Sequence, residues 1–333
     1  MKKFLKRIIP LKFHTPLKSI SRKFSITSFY WSDIKHLFYK TKRSKHESKY
    51  LENKAKIIKY YRRLEKSLAT PNFVQGRGIR AAFDLISALS KFKLENNNLE
   101  DKQIMVAVDV LDKFIKKQSA DDSRYLNNEL EKLNIKIDPS INGGTKILEK
   151  NYFLKNADSS FSFLSSSRHS VRDYESKQVD IKMIYEAVRI AQKTPSVCNR
   201  QGWYVYLVTK PEVIKLFKEI HNGFARPDQY LSSLLIVCFS KSSFDYPLER
   251  HQGYTDGGLF SMSIMYALTS LGLASCPLNA NLSKSAEKKL RKEINLSNEY
   301  GLVMFIAVGH YKESTTVPVS QRDNVSKKIY HIK

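Results

Sequence analysis

Residues 168–172 read Arg-His-Ser-Val-Arg. Two guanidiniums and a hydroxyl within five residues can hold a phosphate through charge-assisted hydrogen bonds, bidentate where an Arg meets two oxygens. The pattern is short, and it would also arise on a solvated surface in a chain with 57 Lys and Arg. A second group spans 194–203, Thr-Pro-Ser-Val-Cys-Asn-Arg-Gln-Gly-Trp. Pro195 stops the preceding helix. Ser196, Asn199 and Gln201 then offer donors and acceptors on irregular backbone, which suits the polar edge of a flat heterocycle. An ordinary helix-to-strand turn would use the same residue types.

Other chemistries are not written in the chain. There is no GxxxxGK[ST] loop, no GxGxxG after a strand and no HExxH, and the eight histidines lack metal-ligand spacing. A GxSxG nucleophile turn is also missing. Cys198, Cys238 and Cys276 are far apart and form no CxxC pair, so they read as reduced thiols of a cytoplasmic protein. Cys198 and Cys276 are expected to be small packed residues.

Two further segments join the first two. Asp256-Gly257-Gly258 opens an apolar helix that ends in Gly272-Leu273-Ala274-Ser275-Cys276-Pro277-Leu278, and Gly309-His310-Tyr311 ends a strand, with Arg322 following. In this order, over about 165 residues, the four segments resemble the nitroreductase family of flavoproteins. The helical stretch in front of them resembles the extension of nitroreductase-like proteins of bacterial polysaccharide biosynthesis.

That resemblance implies a homodimer with two FMN sites at its interface, each using both subunits. It implies an oxidoreductase that passes hydride from NAD(P)H through FMN to an electron-poor small-molecule acceptor in ping-pong fashion. Arg168, Ser170 and Arg322 would bind the FMN phosphate, and Arg172 would sit near the flavin N1/O2 edge. Pro195, Ser196 and Asn199 would reach the ring from the second subunit. The backbone of Pro277, Leu278 and Asn279 would lie near N5. The flavin carries the chemistry, so no catalytic side chain is expected. His169 is expected to face away from the phosphate. Gly202 stands where the family usually has Pro, which would loosen the turn before Trp203. Asn279 and Ala280 stand where some members carry an acid and Gly, and the eleven residues after Arg322 leave a short arm. The alternative is a nitroreductase-like scaffold without catalysis, binding a membrane surface or anionic polymer through a basic arm.

The elements that must position these residues are legible as periodicities. Ile57, Ile58, Tyr61, Leu64 and Leu68 recur at helical spacing, as do Ile79, Ala82, Phe83, Ile86 and Leu89, then Ile104, Val108, Leu111 and Ile115, then Leu126, Leu130 and Leu133. They predict a small helical bundle. Arg63, Glu65 and Lys66 are expected on its surface. Beyond residue 165, Asp180 caps a helix, Trp203–Val208 reads as a strand and Pro211 opens a helix. Leu234–Phe239 and Leu302–Val308 read as buried strands. Gly257–Leu271 reads as a core helix, apolar nearly all round, with Gly272 in its left-handed cap. Ser283 starts another helix. Asn222–Gln252 is the least patterned stretch, and Arg226 and Arg250 within it are expected on the surface.

The expected fold is α+β: a mainly antiparallel sheet flanked by helices, preceded by an α-helical extension. The boundaries are 1–47 for a basic arm, 48–150 for the helical extension and linker, and 151–333 for the FMN-binding domain. Residues 136–164, with Pro139, Gly143, Gly144 and a Ser cluster, are the linker candidate. The formal net charge of +25 is concentrated early, with fourteen Lys and Arg against Asp33 and Glu47 in residues 1–50. Such an arm could be a solvated tail, a contact for an anionic membrane surface or polysaccharide, or a presequence. It carries no nucleic-acid reading motif, so nucleic acid is not an expected partner. No apolar run reaches the ~18–20 residues of a membrane span.

Overall fold

The computed structural model describes residues 27, 30, 31, 45–95, 101–135, 140–157, 159–221, 223, 229–244 and 247–332. Nearly all of the basic arm, and Arg226, lie outside the described residues.

Helices α1 (Lys45–Leu68), α2 (Ile79–Glu95), α3 (Lys102–Ile115) and α4 (Ala120–Lys132) form the expected bundle. Its core draws Ile57, Tyr61, Leu64 and Leu68 from α1, Leu85, Leu89 and Phe92 from α2, and most of α3. Asp101 caps α3 by accepting from the Gln103 N–H, and Ser119 caps α4.

The second half follows as β1 (Thr145–Glu149), α5 (Lys150–Lys155), α6 (Phe161–Ser167), α7 (Ile181–Ala191), β2 (Trp203–Val208), α8 (Pro211–Ile220), β3 (Ser233–Ser240), α9 (Gln252–Ser270), β4 (Ala274–Asn279), α10 (Lys284–Glu293), β5 (Tyr300–Gly309) and β6 (Ser314–Pro318). Four strands form a sheet in the order β2-β3-β5-β4, antiparallel throughout. Alternate residues of β3 serve two cores. Leu234, Ile236 and Cys238 meet Val213, Ile214 and Phe217 of α8 and Leu290 of α10. Leu235 and Val237 meet Ile184 of α7 and Phe260, Ile264 and Leu268 of α9. A strand buried on both faces has no polar alternation, which is why β3 reads as one apolar run.

Three expectations need correction. β4 lies where the sequence suggested a loop. Pro277 disguises it, yet β4 is an edge of its sheet, where a missing N–H costs no ladder bond. Within the linker candidate, β1 pairs with β6 from Thr145↔Pro318 to Glu149↔Ser314, and α5 and α6 follow. A five-residue strand whose partner is so distant leaves little local signature. Finally, α9 is not buried all round: it begins at Gln252 and leaves Tyr254 and Leu259 exposed. Its end is as expected, with Gly272 at φ 72° and Leu273 N–H donating to the Leu268 carbonyl at 2.8 Å.

The bundle docks on the segment that follows β6. Gln103 Nε2 donates to the Gln321 carbonyl at 3.3 Å, and Lys54 pairs with both Asp101 (2.7 Å) and Asp323 (3.6 Å).

Candidate functional site

A cavity of about 550 Å³ lies where the two halves meet. One wall is the end of α6 and the turn after it, with Ser165, Ser166, Arg168, His169 and Ser170; another is 318–323, including Arg322. Lys146 of β1, Arg62 of α1 and Lys102 at the start of α3 complete it. Arg322, distant in sequence from Arg168 and Ser170, therefore lines the same space as they do.

Local backbone fixes the first wall. Ser170 bridges Ser275 of β4, and the Val171 N–H donates to the Ser275 carbonyl at 3.0 Å. Arg172 Nη1 donates to the Ser170 carbonyl at 3.1 Å. Arg168 Nη1, Arg172 Nε and Ser275 Oγ are buried without a hydrogen-bond partner. Buried donors on guanidinium groups are costly to leave unpaired, so this wall is suited to an anionic acceptor. His169 lines the cavity too, contrary to expectation. Its Nδ1 lies 2.7 Å from the Ser167 carbonyl, and burial, then Lys146, Arg168 and Arg322, push its pKa below the ordinary histidine range. It adds no charge to the site at neutral pH.

Further along β4, Leu278 is buried, Pro277 is half-buried and Asn279 is exposed. The Asn279 carbonyl sits 2.8 Å from His221 Nε2. His221 Nδ1 accepts from the Gly223 N–H at 3.1 Å, so Nε2 carries the proton and donates. Lys66 of α1 is half-buried, its pKa pushed down by burial and then by Arg172.

Pro195, Ser196 and Asn199 are not on this cavity. The Val197 N–H donates to Asp256 Oδ2 at 3.2 Å, near the start of α9, whereas Ser165 at the cavity bonds Tyr266 near its end at 3.0 Å. At ~1.5 Å per residue these two anchor points are roughly 15 Å apart along the helix. The 195–201 loop is tightly wound: Cys198, Asn199 and Gln201 all have φ near 50°, and Arg200 forks onto Glu249 at 2.5 and 3.1 Å. Cys198 is exposed rather than packed, while Cys276 is buried as expected. Gly202 packs closely against Ser243. A Cβ there would lie 2.9 Å from Ser243 Cβ, so the glycine permits a close approach.

Residues 166–238 and 247–310 match the family model described as "Nitroreductase family". Over these residues the chain is similar to the nitroreductase family. A candidate NADH dehydrogenase/NAD(P)H nitroreductase of Archaeoglobus fulgidus is 23% identical to the chain over 147 residues, 44% of this chain and 83% of that protein. A protein of the same description from Methanothermobacter thermautotrophicus is 25% identical over 111 residues, 33% of this chain and 55% of that one. Among solved structures, a candidate nitroreductase from Bacillus subtilis shares 17% identity with a TM-score of 0.45, covering 52% of this chain and 98% of its own. A nitroreductase from Desulfitobacterium hafniense, crystallised with FMN, shares 19% identity with a TM-score of 0.38, covering 50% and 94%. The bundle α1–α4 lies outside the match to the nitroreductase-family model.

Sequence reasoning missed what the bundle brings to the nitroreductase-like domain. Arg62 and Lys102 carried no motif, and neither did Lys146 of β1. Of the three charged residues expected on the surface of α1, Arg63 is exposed, but Glu65 is fully buried and Lys66 half-buried. Glu65 has a detectable signal: it lies four residues after Tyr61 and beside Leu64, inside the apolar stripe. Arg200 and Glu249 were likewise unforeseen. Among the described residues no His, Cys, Asp and Glu group could hold a metal ion, and no helix is long and apolar enough to cross a membrane.

Proposed function

We propose that the nitroreductase-like domain is an FMN-dependent oxidoreductase that takes hydride from NADH or NADPH and delivers it to an electron-poor small molecule. The observation that carries this reading is the convergence of Arg168, Ser170 and Arg322 on one cavity beside unpartnered Arg168 Nη1 and Arg172 Nε. This donor set fits a phosphomonoester, which carries about two negative charges and three acceptor oxygens. Bound FMN would supply the centre that accepts and donates hydride.

The chain's own residues bind and orient. Arg168, Ser170 and Arg322 hold the phosphate. Arg172, fixed by the Ser170 carbonyl, places positive charge near the pyrimidine edge of the ring system. Pro277, Leu278 and Asn279 present the exposed edge of β4 to it, and His221 holds the Asn279 carbonyl in place. With hydride passed from the nicotinamide to FMN and from FMN to the acceptor, reductant and acceptor can use one pocket in turn, which is a ping-pong scheme.

Pro195, Ser196 and Asn199 are assigned to the FMN site of a second subunit. They stand at the other end of α9 from the phosphate cavity, and α9 keeps Tyr254 and Leu259 exposed along the way. A twofold pairing through α9 would bring the two ends together. The cysteines are free, as they would be in the cytoplasm, where we place the protein.

The test is spectroscopic. Purified protein should show flavin bands near ~370 and ~450 nm that bleach anaerobically on adding NADH or NADPH. The released ligand should have the mass of FMN. Colourless protein that takes up no added FMN refutes the reading and favours the non-catalytic scaffold.

A further inference from the structure

We propose that the N-terminal bundle is part of the anion site: Lys102 and Arg62 contact the same phosphate as Arg168, Ser170 and Arg322. This rests on the FMN reading above. Lys102 opens α3, where a cation opposes the helix dipole instead of complementing it. It is half-buried on the cavity wall and has no carboxylate or hydrogen-bond partner among the described residues. Local stability gains nothing from a lysine at this position; an anion in the cavity does. Arg62 is held on the same wall by one nitrogen, Nη1, which donates to Glu65 Oε2 and, at 2.7 Å, to Ser320 Oγ.

The charge balance points the same way. The lining carries five Lys and Arg and a single acid, Asp323, which is already paired with Lys54 at 3.6 Å and Lys328 at 2.9 Å. Two arginines already match the charge of one phosphomonoester. The cations from the bundle and from Lys146 make the pocket select the fully ionised group and couple its occupancy to the docking of α1 and α3. A ligand that bridges two parts of a folded chain stabilises their association by mass action. The bundle is thus a working wall of the cofactor site, not an appended module.

The experiment compares FMN with riboflavin, which lacks the phosphate, by fluorescence titration of the 333-residue chain. Wild type should prefer FMN. Lys102→Ala should weaken FMN about tenfold, the size of one charge-assisted contact. Riboflavin affinity should be unchanged, the preference should become less sensitive to salt, and Lys102→Arg should retain it. Circular dichroism of Lys102→Ala should match wild type, because alanine at the start of α3 is a better helix former. Suppose Lys102→Ala keeps the wild-type FMN-to-riboflavin ratio while Arg168→Ala loses it. The role of the bundle is then overturned and the FMN reading stands. Wild-type protein that binds neither flavin, or both equally, overturns the two together.

Discussion

Arg62 in the first helix donates to Ser320, 258 residues further on, at 2.7 Å. The same nitrogen serves Glu65, whose carboxylate is fully buried. Burial raises the Glu65 pKa, and Arg62 offsets only part of that rise. Removing Arg62 leaves that carboxylate without its cation. Arg62→Ala should cost about 3 kcal/mol, the usual penalty for breaking a buried pair from one side. Glu65→Gln should cost much less, because an amide can donate as well as accept. Urea denaturation of the two variants checks this; equal losses would show that charge pairing is not what Glu65 needs.

The phosphate wall can be tested without disturbing the fold. Arg168→Ala combined with Arg322→Ala should leave secondary structure intact and strip the purified protein of most of its flavin. The check is the ratio of absorbance near ~450 nm to protein absorbance. A ratio equal to wild type would mean that the phosphate lies elsewhere.

His221 makes stability depend on pH. Its folded-state pKa is lowered by burial, and its Nδ1 must stay unprotonated to accept from the Gly223 N–H. A histidine with a depressed pKa takes up its proton more readily in the unfolded chain. Its contribution is therefore fully present above the unfolded value of ~6.5 and is lost as pH falls toward the folded one. His169 has the same sign. Melting temperature should drop as pH falls from 7 to 5, and His221→Gln should reduce the slope. A slope unchanged by that substitution would remove His221 from the account.

Phe239 sits between two glycines. A Cβ at Gly253 would lie 2.2 Å from its ring, and one at Gly301 2.4 Å. Gly301→Ala should destabilise by about 1–3 kcal/mol through overpacking. Adding Phe239→Leu should recover part of the loss. Calorimetry of the single and double variants measures the coupling, and purely additive effects would exclude the ring contact as the cause.

Pairing through α9 makes a separate prediction. Leu259→Arg places a charge on the exposed face of that helix. It should shift the protein to monomers in light scattering and lower its flavin content, since half of each proposed site comes from the partner. A variant that remains dimeric with full flavin would move the interface elsewhere.

What the sequence determined by itself is local. Asp180 accepts from the Lys182 N–H, Pro211 opens α8, and β3 reads as an unbroken apolar run, because capping and two-sided burial act within a few residues. The Arg-His-Ser-Val-Arg segment is legible as a cluster of donors for the same reason. Tertiary structure decided what joins distant residues. It turned Pro277 from a loop signal into an edge-strand residue, buried Glu65 and brought Arg62 and Lys102 onto the wall opposite Arg168. A lysine at a helix start looks the same in sequence whether it faces water or an anion cavity. The difference lies in side chains such as Arg62, Arg168 and Arg322, far from Lys102 in sequence, which only the folded chain assembles around it.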